Sequence, residues 1–145
     1  MSALRSQRLA HDAHERVKAR AEANMHAGTK EAVVPVKYAT RVRNLPIWIR
    51  ENGLIQSLAF LQVKACGENG ETDRELLDDL ASILKCGTVE NLIGRAETDP
   101  AAAYRLLTRD ALAVSMWMKR WCETYTPPKP SQTADTKERD ENEAR

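Results

Sequence analysis

Residues 99–128 read DPAAAYRLLTRDALAVSMWMKRWCETYTPP, and this stretch decides the fold class. Asp99-Pro100 opens it and Pro127-Pro128 close it, because proline suits the first turn of a helix and breaks its interior. Between those limits Tyr104, Leu107, Ala111, Val114, Met118, Trp121 and Tyr125 recur at three- and four-residue steps. That spacing puts them on one face of a long helix, as a stripe to be buried. Opposite the stripe stand Arg105, Arg109, Lys119 and Arg120, around Leu112 and Met116.

Working back from this helix, the same punctuation recurs. Ser2 is placed to cap a first helix running to about Met25 and stopped by Gly28. Pro35 opens a second helix that should end at Asn52-Gly53, and a third follows at once and stops at Gly67. Thr72 with Glu75 three residues later has the capping-box pattern, predicting a fourth helix that ends before Gly87. Thr88 is placed to cap a short fifth. The third segment, GLIQSLAFLQVKA, is apolar nearly all round, with Leu54, Leu58, Phe60, Leu61 and Val63, and is expected at the centre of a bundle. No useful strand-like alternation and no internal repeat occurs. The expected architecture is all-α: a compact bundle of five to six helices over residues 1–126. Residues 127–145, PKPSQTADTKERDENEAR after Pro127, carry no large apolar side chain and are expected to be disordered.

Composition narrows the function classes. Three well-separated cysteines (Cys66, Cys86 and Cys122) suit reduced thiols and a cytoplasmic protein. No segment reaches the ~20 apolar residues of a membrane span, and no apolar run follows Arg5 and Arg8 as a signal peptide requires. The net charge of +1 hides an asymmetry: ten Lys/Arg face four Asp/Glu in residues 1–50, and four face ten in residues 51–100. The basic third can supply a surface for nucleic acid although the total is near neutral.

Enzyme readings find little support. His11 and His14 are three apart on one helix, but no Cys-x-x-Cys, His-Glu-x-x-His or compact carboxylate set accompanies them, so neither metal nor cofactor is expected. No glycine-rich phosphate loop is present, and no cysteine is paired in sequence with a base. Residues 45–66 have the outline of a helix-turn-helix, yet LIQSLAFLQV lacks the polar side chains a recognition helix needs for base edges.

Cations and aromatic planes together hold single-stranded RNA. On the second helix Tyr38, Val42, Leu45 and Ile49 form the apolar stripe; Lys37, Arg41, Asn44 and Trp48 share another face, with Arg43 and Arg50 on the far flank. Either Trp48 meets RNA or a partner there, or Pro46 kinks the helix and turns it inward. The basic strip on the last helix is equally open between RNA or partner contact and a solvated face. Arg5, Arg8 and Arg16 share a side of the first helix with Asp12, which suits a solvated face. The acids Glu68, Glu71, Asp73, Glu75, Asp78 and Asp79 read as a solvated helix face favoured by the helix N-terminus, or as a docking patch turned away from RNA.

Two segments carry a resemblance: Lys37–Lys64, KYATRVRNLPIWIRENGLIQSLAFLQVK, and Tyr104–Arg120, YRLLTRDALAVSMWMKR. Both resemble the small subunit of type III-B CRISPR effectors, the Cmr RNA-targeting complex. The first matches a tyrosine-bearing helix, Leu-Pro, an Asn-Gly-Leu turn and an Ala-Phe-Leu helix ending in Lys64. The second matches a closing helix with Tyr-Arg, Thr, an acidic-Ala-Leu step and Trp followed by basic residues. Residues 67–99 have no such counterpart. The resemblance implies a non-catalytic subunit whose copies stack beside the backbone subunits that hold guide RNA, with the large subunit also a partner. Target single-stranded RNA, or its duplex with the guide, would run between the filaments, and cleavage would belong to the backbone subunits. Lys37, Arg41, Arg43, Trp48, Arg50, Lys64, Arg105, Arg109, Lys119 and Arg120 are then the expected RNA or partner contacts. A helical adaptor that touches only protein is the alternative.

Overall fold

The computed structural model describes residues 2–26 and 32–125. Over them the chain is six helices with no strand: α1 (Ser2–His26), α2 (Val36–Asn52), α3 (Leu54–Cys66), α4 (Glu71–Ile83), α5 (Val89–Thr98) and α6 (Ala101–Thr124). The all-α expectation holds. The Ser2 side chain, Gly28 and the tail lie outside what is described, and with them the capping, stop and disorder expectations.

The long last helix is the organiser. Its Leu107, Ala111, Val114 and Met118 are buried, with Tyr104, Trp121 and Tyr125 packed at the margin of the core. It lies against α1 on one side and α2 on the other. The four buried positions of α1, Leu9, Ala13, Val17 and Ala21, step by four residues and are mostly small, which lets the two long helices approach closely. The α2 stripe is as expected: Tyr38, Val42, Leu45 and Ile49 are all buried. Pro46 sits inside α2, and the helix continues through it to Asn52.

Two expectations need correction. The third helix is not central. Leu54, Leu58 and Leu61 are buried, but Phe60 is 40% and Val63 71% exposed. The buried side is covered by α2, α4 and α5, while the side of Phe60 and Val63 is left partly open, with Trp48 of α2 against Phe60. Nor does Thr72 cap α4. That helix starts at Glu71 with Gly70 as its cap residue and no side-chain cap bond. Gly70 is pressed into the preceding turn, where a Cβ would lie 2.4 Å from the Ala65 carbonyl oxygen. Turn packing, not capping chemistry, fixes the start.

Elsewhere local signals are realised. The Asn91 amide donates to Thr88 Oγ1 at 3.1 Å, capping α5. Gly53, at φ 85°, joins α2 to α3 as a single residue in a conformation that side chains with a Cβ disfavour. One of the free amides in the first turn of α3, at Ile55, donates to Tyr104 Oη at 3.2 Å, tying the α2–α3 turn to α6.

Candidate nucleic-acid interface

α4 carries six acids on or near it, and two of them are not solvated. Asp73 and Asp79 are both 0% exposed, a correction to their reading as surface charge. Each draws in cations from other helices. Asp79 receives Arg20 Nε at 3.0 Å and Nη2 at 2.9 Å, together with the Tyr38 hydroxyl at 2.5 Å; Arg16 Nε lies at 3.5 Å. Asp73 Oδ1 accepts from Arg41 Nε at 2.8 Å, and Lys37 Nζ stands 3.7 Å from Oδ2 while donating to the Asn69 carbonyl at 2.6 Å. Burial without these partners would expel the charges, so α4 acts as an internal clamp on α1 and α2.

The titration of nearby groups follows. Burial, then the Asp79 charge and hydrogen bond, push the Tyr38 hydroxyl well above its usual range. Burial and Asp79 likewise push the Cys122 thiol up to about 12. For Arg20, burial pulls the pKa down, but the Asp79 contact outweighs it and the guanidinium is held above its ordinary value.

Nine of the ten candidate residues separate into two surfaces, while Lys37 is held at the Asp73 clamp. The first is an open edge between α2 and α3. Here Trp48 is half-buried and meets the Phe60 ring edge-on at 4.8 Å between centroids. Arg41 Cζ and Lys64 Nζ lie 5.7 and 5.5 Å from the centre of the same ring, within cation–π range. Trp48, Asn52, Gln56, Ser57, Ala59, Phe60 and Val63 line a cleft of about 500 Å³. Phe60, which the apolar pattern of α3 assigns to the core, is thus the centre of the edge. Its position one turn before Lys64 is the signal in the sequence that points there.

The second surface is the outward face of α1, α6 and α2. Arg105, Arg109, Met116 and Arg120 stand exposed along α6, with Lys119 half-buried beside them. Arg50 Nη2 lies 3.6 Å from Met116 Sδ, so α2 adds Arg50 and the exposed Arg43 to the same face. On the α1 side Arg5 pairs with Asp110, and Arg5, Arg8 and Arg109 line a groove of about 830 Å³. Arg8, Arg43, Arg50, Arg105, Lys119 and Arg120 make no ion pair with any described residue. From sequence the α1 arginines form a separate, diluted set. The parallel docking of α1 on α6 merges two of them with Arg109.

Among the described residues no three metal-ligating side chains gather. His14 is stacked on Trp121 at 4.2 Å with Nε2 2.9 Å from Tyr125 Oη, and His11 is exposed. No described helix is long and apolar enough to cross a membrane.

This bundle, with a long organising helix and cations divided between an inner clamp and an outer face, has known relatives. A protein from Thermus thermophilus described as "CRISPR system Cmr subunit Cmr5" is 32% identical over 119 residues, covering 82% of this chain and 93% of the relative. The X-ray crystal structure of a CRISPR-associated Cmr5 family protein, also from Thermus thermophilus, superposes with a TM-score of 0.68. It is 30% identical and covers 83% of this chain and 96% of that one. The sequence pattern of the family CRISPR-associated protein (Cas_Cmr5) matches residues 5–125, from the first arginine of the basic groove to the last residue of the described bundle, and the chain therefore belongs to that family.

Proposed function

We propose that this chain is the small, non-catalytic subunit of a Cmr effector, working in the cytoplasm among the other Cmr subunits. Copies stack beside the guide-RNA-bound backbone subunits and help to hold target single-stranded RNA. The observation that carries the reading is the α1–α6–α2 face, where six cations have no carboxylate partner among the described residues. Arginines kept free of internal acids are available to phosphates, and each phosphate neutralised releases counterions. One protomer offers only a modest patch. Copies in register on one strand share an effective concentration that multiplies it.

The test is reconstitution with the other Cmr subunits and a guide RNA. Replacing Arg105, Arg109 and Arg120 together by Gln should leave incorporation intact and weaken target binding at least tenfold at moderate salt. A complex that never incorporates the chain overturns the reading. Full incorporation with unchanged target affinity leaves the adaptor reading, which the exposed Phe60, Val63, Ile47 and Leu106 also favour.

A further inference from the structure

The cleft between α2 and α3 has an order along its length that a plain protein-docking groove does not need. Toward the α2–α3 turn stand two amides, Asn52 and Gln56, exposed and without a hydrogen bond to any described residue. One turn further are Trp48 and Phe60, the ring of Phe60 being 40% exposed. Flanking the Phe60 ring, outside the lining itself, are two cations, Arg41 and Lys64. Gln56 to Lys64 spans eight residues of one helix, about 12 Å of rise.

Arg41 is not a loose surface charge. Its Nε is fixed on the fully buried Asp73, and its two terminal nitrogens make no hydrogen bond to a described residue. Lys64 pairs with no described carboxylate and rests over the Phe60 ring. Its flexible stem lets it leave that ring for a nearby anion.

We infer that the cleft is a site for one unpaired nucleotide of single-stranded RNA. The base enters against Trp48 and Phe60, displacing the Lys64 ammonium. Asn52 and Gln56 meet the base edge, and Arg41 and Lys64 take the flanking phosphate. Stacking serves any base because every base has a π-face, while amides at a base edge lend modest preference. This rests on the RNA reading above and assigns the base contact to a different surface from the phosphate face of α6.

The full-length protein is the object of the test, with thiouridine-containing single-stranded RNA as probe and a strand of abasic ribose phosphates as control. Ultraviolet cross-linking should place the base on the peptide spanning residues 48–64. Phe60→Ala should lower affinity for the normal strand about tenfold, the scale of one base–aromatic stack, and leave the abasic strand unaffected. Gln56→Ala, exposed and remote from the core, should cost about threefold on the normal strand alone, and decides the matter if Phe60→Ala folds poorly. Undiminished affinity in both variants, with cross-links elsewhere, overturns the site while the RNA reading stands. Failure of Phe60→Ala to assemble, with unchanged RNA affinity, makes the cleft a protein seam and also overturns it. If wild-type protein binds no RNA at any salt, the broader reading has failed and this one falls with it.

Discussion

Arg20 and Arg105 are both arginines on long amphipathic helices, and the molecule uses them in opposite ways. Arg20 reaches a buried carboxylate, Asp79, and is part of the fold. Arg105 lies exposed on α6 with no described carboxylate in reach. The same contrast divides Lys37 and Arg41 from Arg43 and Arg50 within α2 itself. What separates them is whether α4, with its two inward acids, lies on that side of the helix. A cation's role is therefore set by a helix distant in sequence, and the contrast can be tested from either end.

The largest effect is expected at the inner end. Asp79→Ala removes the carboxylate that satisfies the Arg20 guanidinium and the Tyr38 hydroxyl together. Breaking a buried pair by deleting one partner costs about 3 kcal/mol, which should lower the melting temperature by roughly 10 °C. A melting temperature within a degree or two of wild type would show that α4 does not clamp α1 and α2.

Tyr38→Phe comes next. It deletes one hydrogen bond to a charged group and leaves Arg20 on Asp79, for a destabilisation of about 1.5 kcal/mol near neutrality. The pH dependence sharpens it. Tyr38 and Cys122 both hold their protons to higher pH when folded than when unfolded, Cys122 to about 12. Above the unfolded thiol's ordinary value the unfolded state thus binds fewer protons, and stability falls as pH rises. Wild type should lose stability from about pH 8 upward, where the free thiol begins to ionise. In Tyr38→Phe the decline above about pH 10 should be shallower, with the Cys122 part remaining. Identical alkaline limbs in denaturant titrations would remove Tyr38 from the clamp.

How much of this is legible in the sequence follows from the range of each interaction. Helix limits and stripes depend on neighbours three or four residues away, so the α2 stripe, the Thr88 cap and the long α6 can be read directly. The Asp73 and Asp79 pairs bridge 32 and 59 residues, beyond the reach of any local pattern, and Asp73, in the first turn of α4, looks solvated from sequence because the helix dipole favours an acid there anyway. Thr72 and Glu75 match a capping pattern, but the Gly70 contact with the preceding turn places the helix start elsewhere. Phe60 and Val63 mislead for a related reason: an apolar helix predicts burial, and how many faces its neighbours cover is a property of topology. The exposed arginines of α6 are legible as a strip. That Arg5, Arg8 and Arg109 share one groove requires the docking of α1.

The smallest effect on stability, and the sharpest test of the outer end, is Arg105→Gln with Arg120→Gln. Both side chains are exposed and neither pairs with a described acid, so the double variant should melt within about 0.5 kcal/mol of wild type. If their charge serves phosphates, RNA affinity should fall several-fold. The slope of log affinity against log salt should also become shallower by about 1.4, or ~0.7 for each phosphate of a single strand that is no longer neutralised. Stability and binding would then move in opposite proportion at the two ends: Asp79→Ala large on folding, this pair large only on binding. A double variant that lost stability while keeping its salt slope would place these arginines with Arg20, and the division between inner and outer cations would no longer hold.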